Sequence, residues 1–267
     1  MDIKLTYVHR QFGVADPTIA HFADDIQMRM RVEGRLRDGP LVMKLHDVSL
    51  DSDKASITVG PVSYGLQAAT CFALDLPHEL FEEYGGTLRD YCYARYDMDR
   101  PATNPLAICL GVSGCLIVEE NGTRYLLQVT RSGHLTSLED TVGPSAAGVV
   151  DFVEGLANLQ ELVDYSMAEE VHEELNLSDD EFQIEPLAWA LEIFRGHRPQ
   201  LFCAITTKLK RAQIKERLER IDDATREFSS YRFAPISDGR LSDDDFARLN
   251  PEARANWLFC EEWLATR

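Results

Sequence analysis

Apolar residues recur along this chain at spacings that predict different elements. Val163, Met167, Val171 and Leu175 follow one another at every fourth position, which is the spacing of one face of an α-helix. The positions between them are largely acidic. This part of the chain, residues 161–177, therefore predicts a helix with one buried stripe and one acidic side.

Strand patterns precede and follow this helix. Residues 106–118 form a long apolar run, and residues 124–130 form a shorter one. Asn121-Gly122 between them favours the tight turn of a β-hairpin, because both residues tolerate positive φ angles. Further strands are predicted at residues 142–150, 184–193, 200–207 and 231–236, and helices at residues 208–221 and 243–265.

The first part of the chain, residues 1–103, has a different character. Short extended segments are predicted at residues 25–32, 41–48 and 55–59, and residues 77–95 are predicted to be helical with an interruption at Gly85-Gly86. Residues 97–105 contain two prolines and read as a linker. We predict an α/β (α+β) protein in which a β-rich region, 1–103, precedes an α/β domain with a mixed sheet, 104–267.

Composition narrows the possible partners. The formal net charge of the 267 residues is −18, which argues against a broad interface with nucleic acid, since such interfaces need clustered Lys and Arg. It leaves room for a small phosphorylated ligand, because divalent cations can bridge acidic protein to anionic substrate. Most of these charges can also be explained simply by solubility.

Location is predicted from what the sequence lacks. The six cysteines have neither CxxC spacing nor a matching His pattern, which favours reduced core residues. The N-terminal residues contain no apolar signal segment, and no window approaches the ~20 apolar residues of a membrane span. We predict a cytoplasmic protein that does not bind membrane.

Four glutamates crowd one turn of the predicted helix. Glu169 with Glu173 and Glu170 with Glu174 are like-charge pairs at i,i+4, and each pair destabilises a helix by about 0.2–0.5 kcal/mol. No Lys or Arg occurs between residues 161 and 177 to offset them. The cluster is either a solvated acidic face or a cation site, and clustered carboxylate oxygens suit Mg²⁺ or Mn²⁺.

At these residues the chain resembles the Nudix hydrolase family. The family's box reads G-x5-E-x7-R-E-U-x-E-E-x-G-U, where U is a bulky aliphatic residue, and its hairpin and entering strand resemble residues 115–132 and 144–151. The resemblance extends over about residues 105–240 and implies a Nudix-like α/β/α sandwich. The residues that match the box are Gly155, Glu161, Glu170, Val171, Glu173, Glu174 and Leu177.

The resemblance implies Mg²⁺-dependent hydrolysis of a diphosphate linkage in a nucleoside-diphosphate-linked small molecule. Glu170, Glu173 and Glu174 would be the metal ligands, and one of them, with Glu170 as first choice, could instead orient or deprotonate the water. A backbone carbonyl near Gly148 would complete the metal site. By its place at the end of the entering strand, Gly148 fits the box glycine better than Gly155, although only Gly155 keeps the family spacing.

Two positions depart from the box. Asn176 stands where the family has glycine, a small change because Asn tolerates the left-handed conformation that ends a helix. Glu169 stands where the family has arginine, which holds the glutamates by charge-assisted hydrogen bonds. A carboxylate there reverses that interaction and raises the pKa of its neighbours.

Glu169 keeps two other functions open. The chain could be a catalytically weak or inactive Nudix-fold protein that binds a nucleotide-like ligand, or an interaction module in which the box is a relic. Arg131 and Arg195 could reach a phosphate, or could pair with local acids. The region 1–103 could cover the cleft or mediate a homodimer, and the sequence favours neither.

Overall fold

The structure is a computed structural model that describes residues 3–36, 39–51, 54–132, 140–222 and 226–267. The strands are β1 Ile3–Tyr7, β2 Leu41–Asp51, β3 Lys54–Ser63, β4 Gly111–Glu120, β5 Thr123–Arg131, β6 Val142–Gly143, β7 Ala146–Val149, β8 Phe182–Glu192, β9 Arg198–Thr207 and β10 Phe228–Ile236. The α-helices are α1 Pro17–Val32, α2 Tyr64–Gln67, α3 Leu88–Arg95, α4 Leu159–Leu175, α5 Arg211–Glu219, α6 Asp243–Arg248 and α7 Pro251–Leu264. A π-helical turn, Ala68–Phe72, and two 3₁₀ helices, Glu79–Tyr84 and Ile193–Arg195, complete the elements. The mixed α/β class predicted from the sequence is confirmed.

The chain divides into two compact units, and the division is discontinuous in sequence. The first unit contains residues 1–111, 149–162 and 191–199, and the second contains residues 112–148, 163–190 and 200–267. The sequence predicts one boundary within residues 97–105. The two later segments of the first unit carry no composition change that marks them.

The first unit is built on a sheet with the order β1-β3-β2. Strand β1 pairs parallel with β3, and β2 pairs antiparallel with β3. The far edge of β2 is occupied as well: Met43 N donates to Val150 O and Leu45 N donates to Ile108 O. Helices α1 and α3 and the segments between them bury a separate core around Phe22 and Phe81. The first unit is therefore mixed α/β, and the prediction that residues 1–103 are β-rich is wrong.

Residues 25–32, predicted to be extended, belong to helix α1. The Asp16 side chain caps its first turn by accepting from Thr18 N, and Pro17 occupies the first helical position. Ile26 and Met30 are buried one helical turn apart, whereas the equally apolar Val32 is 85% exposed. Apolar and polar residues alternate at this end of the helix as they would in a strand, but this alternation does not match the side chains that are buried.

The second unit is built on a seven-stranded sheet in the described residues. Its main path is β10-β5-β4-β9-β8, with β6 paired to β5 and β7 paired to β4. The predicted hairpin is confirmed: Asn121 and Gly122 have φ angles of 52° and 76° and connect β4 to β5. A core around Trp257 packs α7 against the sheet residues Cys115 and Ala204.

All six cysteines are buried and free, as the sequence predicts. Among the described residues, no helix is both long enough and apolar enough to cross a membrane.

Candidate functional site

Helix α4 carries the predicted site, and local hydrogen bonds fix both of its ends. At its start, Glu161 N donates to Asn158 Oδ1 at 3.0 Å, and Glu161 Oε2 accepts from Ala157 N at 2.8 Å. The arrangement is similar to a capping box, with the Glu161 carboxylate bonded to the main chain one residue before the N-cap. At its end, Asn176 has φ 55° and its side chain donates to Arg217 O at 3.1 Å. The predicted left-handed conformation of Asn176 is confirmed. The Glu161 side chain caps the start of the helix.

The apolar stripe of α4 packs on the central strands of the second unit. Val163, Met167, Val171 and Leu175 are all buried. Gly114 of β4 makes room for this packing, because a Cβ at that position would stand 3.0 Å from Met167 Sδ. The buried stripe holds the helix in one rotational position and thereby sets the direction of its glutamates.

The closest backbone approach to these glutamates is at Gly148 in β7. A Cβ at Gly148 would stand 1.7 Å from Glu170 Oε1, so only glycine fits with the carboxylate in its present position. Gly155 has φ 98° and no atom of the described residues within 4 Å of where its Cβ would be. The contact expected of a glycine at the end of the entering strand thus belongs to Gly148.

Glu174 is the second glutamate tied to β7. Its Oε2 accepts from Ala147 N at 3.1 Å. Burial, together with the carboxylates of Glu170 and Glu227, raises the pKa of Glu174 well above its usual range, and Arg131 partly offsets this. Carboxylates that raise one another's pKa repel one another, and either a proton or a divalent cation would relieve the repulsion.

Glu227 is a member of this group that the sequence did not indicate. Its side chain lies close enough to Glu174 to contribute to the raised pKa of that carboxyl. Its main-chain oxygen accepts from Ser132 N at 2.8 Å, which holds it beside the end of β5. Glu227 lies more than 50 positions after the helix and belongs to no local motif, so only the pairing of β10 with β5 brings it to the site.

Arg131 is the cation of this group. The sequence indicated it as one of two possible phosphate contacts. Its side chain passes over Gly143, where an added Cβ would stand 3.1 Å from Arg131 Cγ. Its Nε is buried and has no hydrogen-bond acceptor among the described residues. Arg195, the other candidate, is buried in the first unit with its Nη1 3.2 Å from Glu192 Oε2.

The remaining glutamates of α4 face solvent. Glu173 is exposed, and so is Glu169, whose Oε1 lies 3.9 Å from His172 Nδ1. His172 in turn contacts Asp179 at 2.8 Å. The structure therefore groups Glu170 and Glu174 with Gly148 and Glu227. It leaves Glu173, predicted as a third metal ligand, on the exposed side.

The donor set fits a hard divalent cation in its chemistry. Glu170, Glu174 and Glu227 supply carboxylate oxygens, and Gly148 leaves the space that a Cβ would fill. Among the described residues, however, no group of three or more His, Cys, Asp or Glu side chains is arranged so that it could hold a metal ion. Metal binding remains a prediction.

Comparison with known proteins gives likeness in structure and none in sequence. No family model matches the chain, and no curated protein matches it. The similar solved structures include the NUDIX domain of Shewanella oneidensis NrtR complexed with ADP ribose, with 13% identity, TM-score 0.39, and coverage of 60% of this chain and 90% of that one. They also include a binary complex of an Ap4A hydrolase from C. elegans, with 12% identity, TM-score 0.37, and coverage of 60% and 100%.

A mutT/nudix family protein from Listeria innocua is a third similar structure, with 16% identity, TM-score 0.39, and coverage of 59% of this chain and 93% of that one. With TM-scores and identities this low, the three similar structures support no argument about the chemistry of this chain. That chemistry follows from its own carboxylates.

Proposed function

We propose that this protein is a Mg²⁺-dependent, Nudix-type hydrolase that cleaves a diphosphate linkage in a nucleotide-linked small molecule. The observation that carries the proposal is the meeting of α4 with β7, where Gly148 admits the Glu170 carboxylate and Ala147 N binds Glu174. A solvated acidic face would need neither a glycine nor a backbone donor opposite its carboxylates. Both contacts instead support a site that is built to gather negative charge.

In this proposal Glu170 and Glu174 hold the ion, and Mn²⁺ can replace Mg²⁺. When bound, the ion would offset the negative charge of the diphosphate and, as a Lewis acid, make its phosphorus more open to attack by water. Glu173 lies next to Glu174 in the sequence, and from the exposed side of the helix it would contact the ion through a water. The Gly148 carbonyl is the remaining predicted ligand.

Glu227 gives the site a group that can accept a proton. It lies outside the helix and is exposed, so it can reach a water on the open side of the carboxylate group. We assign it beside Glu170 as a candidate for the base that deprotonates the attacking water. Arg131 contributes the positive charge that the box arginine supplies in the family.

A hydrolysis screen that detects the phosphate-ester products tests the proposal, because cleavage of the diphosphate linkage of such a substrate gives two phosphate esters and no inorganic phosphate. The purified protein is incubated with Mg²⁺ or Mn²⁺ and with nucleoside diphosphate sugars, dinucleotides and nucleoside triphosphates. We expect turnover of one substrate class, lost with EDTA and in Glu170→Gln. Lys215→Met, an exposed change on α5, is the control for handling and should retain activity.

Ligand binding without turnover is the second candidate function, and the exposed carboxylate of Glu169 at the arginine position favours it. In that case no substrate of the screen is cleaved while one of them raises the melting temperature. A protein with a relic box would show neither turnover nor saturable binding of Mg²⁺ or Mn²⁺ by calorimetry.

A further inference from the structure

The first unit buries a lysine that pairs with no carboxylate of the described residues. Lys44 is 1% exposed, and its Nζ donates to Leu45 O at 2.9 Å. The ring of Phe12 lies over Nζ at 4.5 Å from its centroid. Among the described residues no carboxylate pairs with Lys44, and the thiols of Cys109 and Cys71 act on its pKa only weakly beside the effect of burial. Buried lysines are rare unless they are paired.

A β-bulge next to Lys44 places a second polar group nearby. The register of β2 with β3 pairs Leu45 with Val59 and Asp47 with Thr58, which leaves His46 as the extra residue. Bulges re-aim side chains and are frequent near functional sites. The His46 ring turns over Gly60, where an added Cβ would stand 2.7 Å from Nε2.

His46 also lacks a partner where one is expected. Its Nε2 is buried and has no hydrogen-bond partner among the described residues. Burial, with a smaller contribution from the charge of Lys44, lowers the pKa of His46 to about 4. The ring is therefore neutral at neutral pH, with one nitrogen free to donate to or accept from a ligand.

His46 and Phe12 line an open hollow of about 650 Å³, which we call the loop hollow. Its remaining lining comes from the segment that follows β1: Val8, Arg10, Gln11, Gly13, Val14 and Ala15. Two main-chain bonds hold this segment to β3, Val8 N to Val59 O at 2.7 Å and Phe12 N to Pro61 O at 2.8 Å. Pockets of this size hold small organic ligands.

We propose that the loop hollow binds a small organic anion, a carboxylate or phosphate on a flat apolar body, whose charge is paired by Lys44 and Arg10. The Phe12 ring turns aside from Nζ to admit the anionic group and then packs on the apolar body. His46 Nε2 supplies the hydrogen bond that fixes the orientation of the ligand. The site lies within the first unit and is independent of the carboxylates of α4.

Physical reasoning favours an anion over a neutral ligand. An unpaired buried ammonium is costly, and burial lowers the pKa of Lys44 to about 8, so that near neutral pH it is still mostly charged. A cation–π contact offsets part of that cost. An anionic ligand would offset more of it, because a charge pair in a partly dry site is stronger than in water.

The test compares benzoate with benzamide, which has nearly the same shape but no charge, and includes inorganic phosphate as an anion without an apolar body. Each compound is titrated into the full chain while melting temperature and binding heat are recorded. We expect saturable binding of benzoate, at least tenfold weaker binding of benzamide, and weak binding of phosphate alone. If phosphate binds as tightly as benzoate, the anionic group alone determines binding. That result would support the anion site and would show that the ligand needs no apolar body.

Two variants assign the effect to Lys44. Lys44→Met keeps the length of the side chain and removes the buried charge, so we expect it to fold and to lose the preference for benzoate. Lys215→Met removes one positive charge from an exposed position of α5 and should bind benzoate as the wild type does. If the wild type does not distinguish benzoate from benzamide, or if Lys44→Met still does, the proposal is wrong.

Discussion

The two units each gather charge that their own side chains do not balance, and they do so with opposite sign. In the second unit Glu170 and Glu227 raise the pKa of the buried Glu174 carboxyl, and Arg131 offsets only part of this. In the first unit the ammonium of Lys44 is buried, and no carboxylate in the described part of the chain pairs with it. Buried charge of either sign is expensive, so an imbalance that the fold keeps in place indicates a ligand of the opposite charge.

The difference between the units lies in how the imbalance is built. The carboxylates come from one helix and one distant segment, and the approach of Gly148 holds them close together. The lysine comes from a strand interior, and a bulge and Gly60 make room for the His46 ring two positions further on. The first arrangement suits a compact divalent cation, and the second suits an organic anion with a body of its own.

The largest expected effect concerns the buried lysine. Between pH 8 and 10.5 the unfolded chain binds a proton at Lys44 that the folded chain does not, so stability rises with pH across this window. The lowering of the pKa from 10.5 to about 8 corresponds to at most about 3 kcal/mol. We expect this rise, measured by denaturant unfolding in buffer without organic anions, to be missing in Lys44→Met. If the free energy of unfolding depends on pH in the same way in both proteins, Lys44 is not a buried charge of the kind described for the first unit.

A methyl group at Gly148 probes the second unit. In Gly148→Ala the new Cβ would meet Glu170 Oε1, and the flexible side chain can swing away, so the fold is kept while the carboxylate is displaced. Displacements of about 1 Å can cost about 100-fold in rate. We expect a loss of that order in hydrolysis with little change in melting temperature. Gly39→Ala, where the added Cβ has open space, is the matched control, and a fully active Gly148→Ala would contradict the role given to this contact.

Arg131 is expected to have a smaller effect. In Arg131→Gln the acidic group loses its cation, and we expect about a tenfold weaker affinity for Mn²⁺ by calorimetry, in the range of changes to groups that orient metal ligands. Arg131→Lys should recover part of it. Absence of recovery in Arg131→Lys would assign Arg131 a role through its shape and packing rather than through its charge.

The smallest effect is expected at Glu169. Its carboxylate is exposed and stands apart from the group at Gly148, so Glu169→Gln should change hydrolysis less than about twofold, as is usual for screened surface charges. Substrate turnover of the variant beside the wild type is the measurement. A larger change in either direction would show that Glu169 belongs to the site after all.

The sequence predicted those elements whose local pattern agrees with their packing. The stripe of α4, the Asn121-Gly122 hairpin and the left-handed Asn176 each follow from a few adjacent residues, and the structure confirms them. The sequence predicts an extended segment at residues 25–32, the second half of α1, because Met28 and Val32 are apolar yet exposed and give this part of the helix a false alternation. Burial at that end is decided by the packing of Ile26 and Met30, which the sequence does not display.

The candidate site divides in the same way. Glu170, Glu174 and Gly148 could be predicted because a short motif and an entering strand contain them. Glu227 could not, because only strand pairing brings it to α4, and the exposure of Glu173 depends on which face of the helix meets the sheet. Lys44 gave no signal, since nothing in its neighbourhood in the sequence shows that its charge is buried.

Calorimetric titration of Mn²⁺ into the wild type and into the double variant Glu170→Gln, Glu174→Gln tests the central claim most directly. Two uncharged amides keep the shape of the site and remove its charge. The account predicts saturable binding to the wild type and none to the double variant. Absence of saturable binding to the wild type, or equal binding to both proteins, would contradict it.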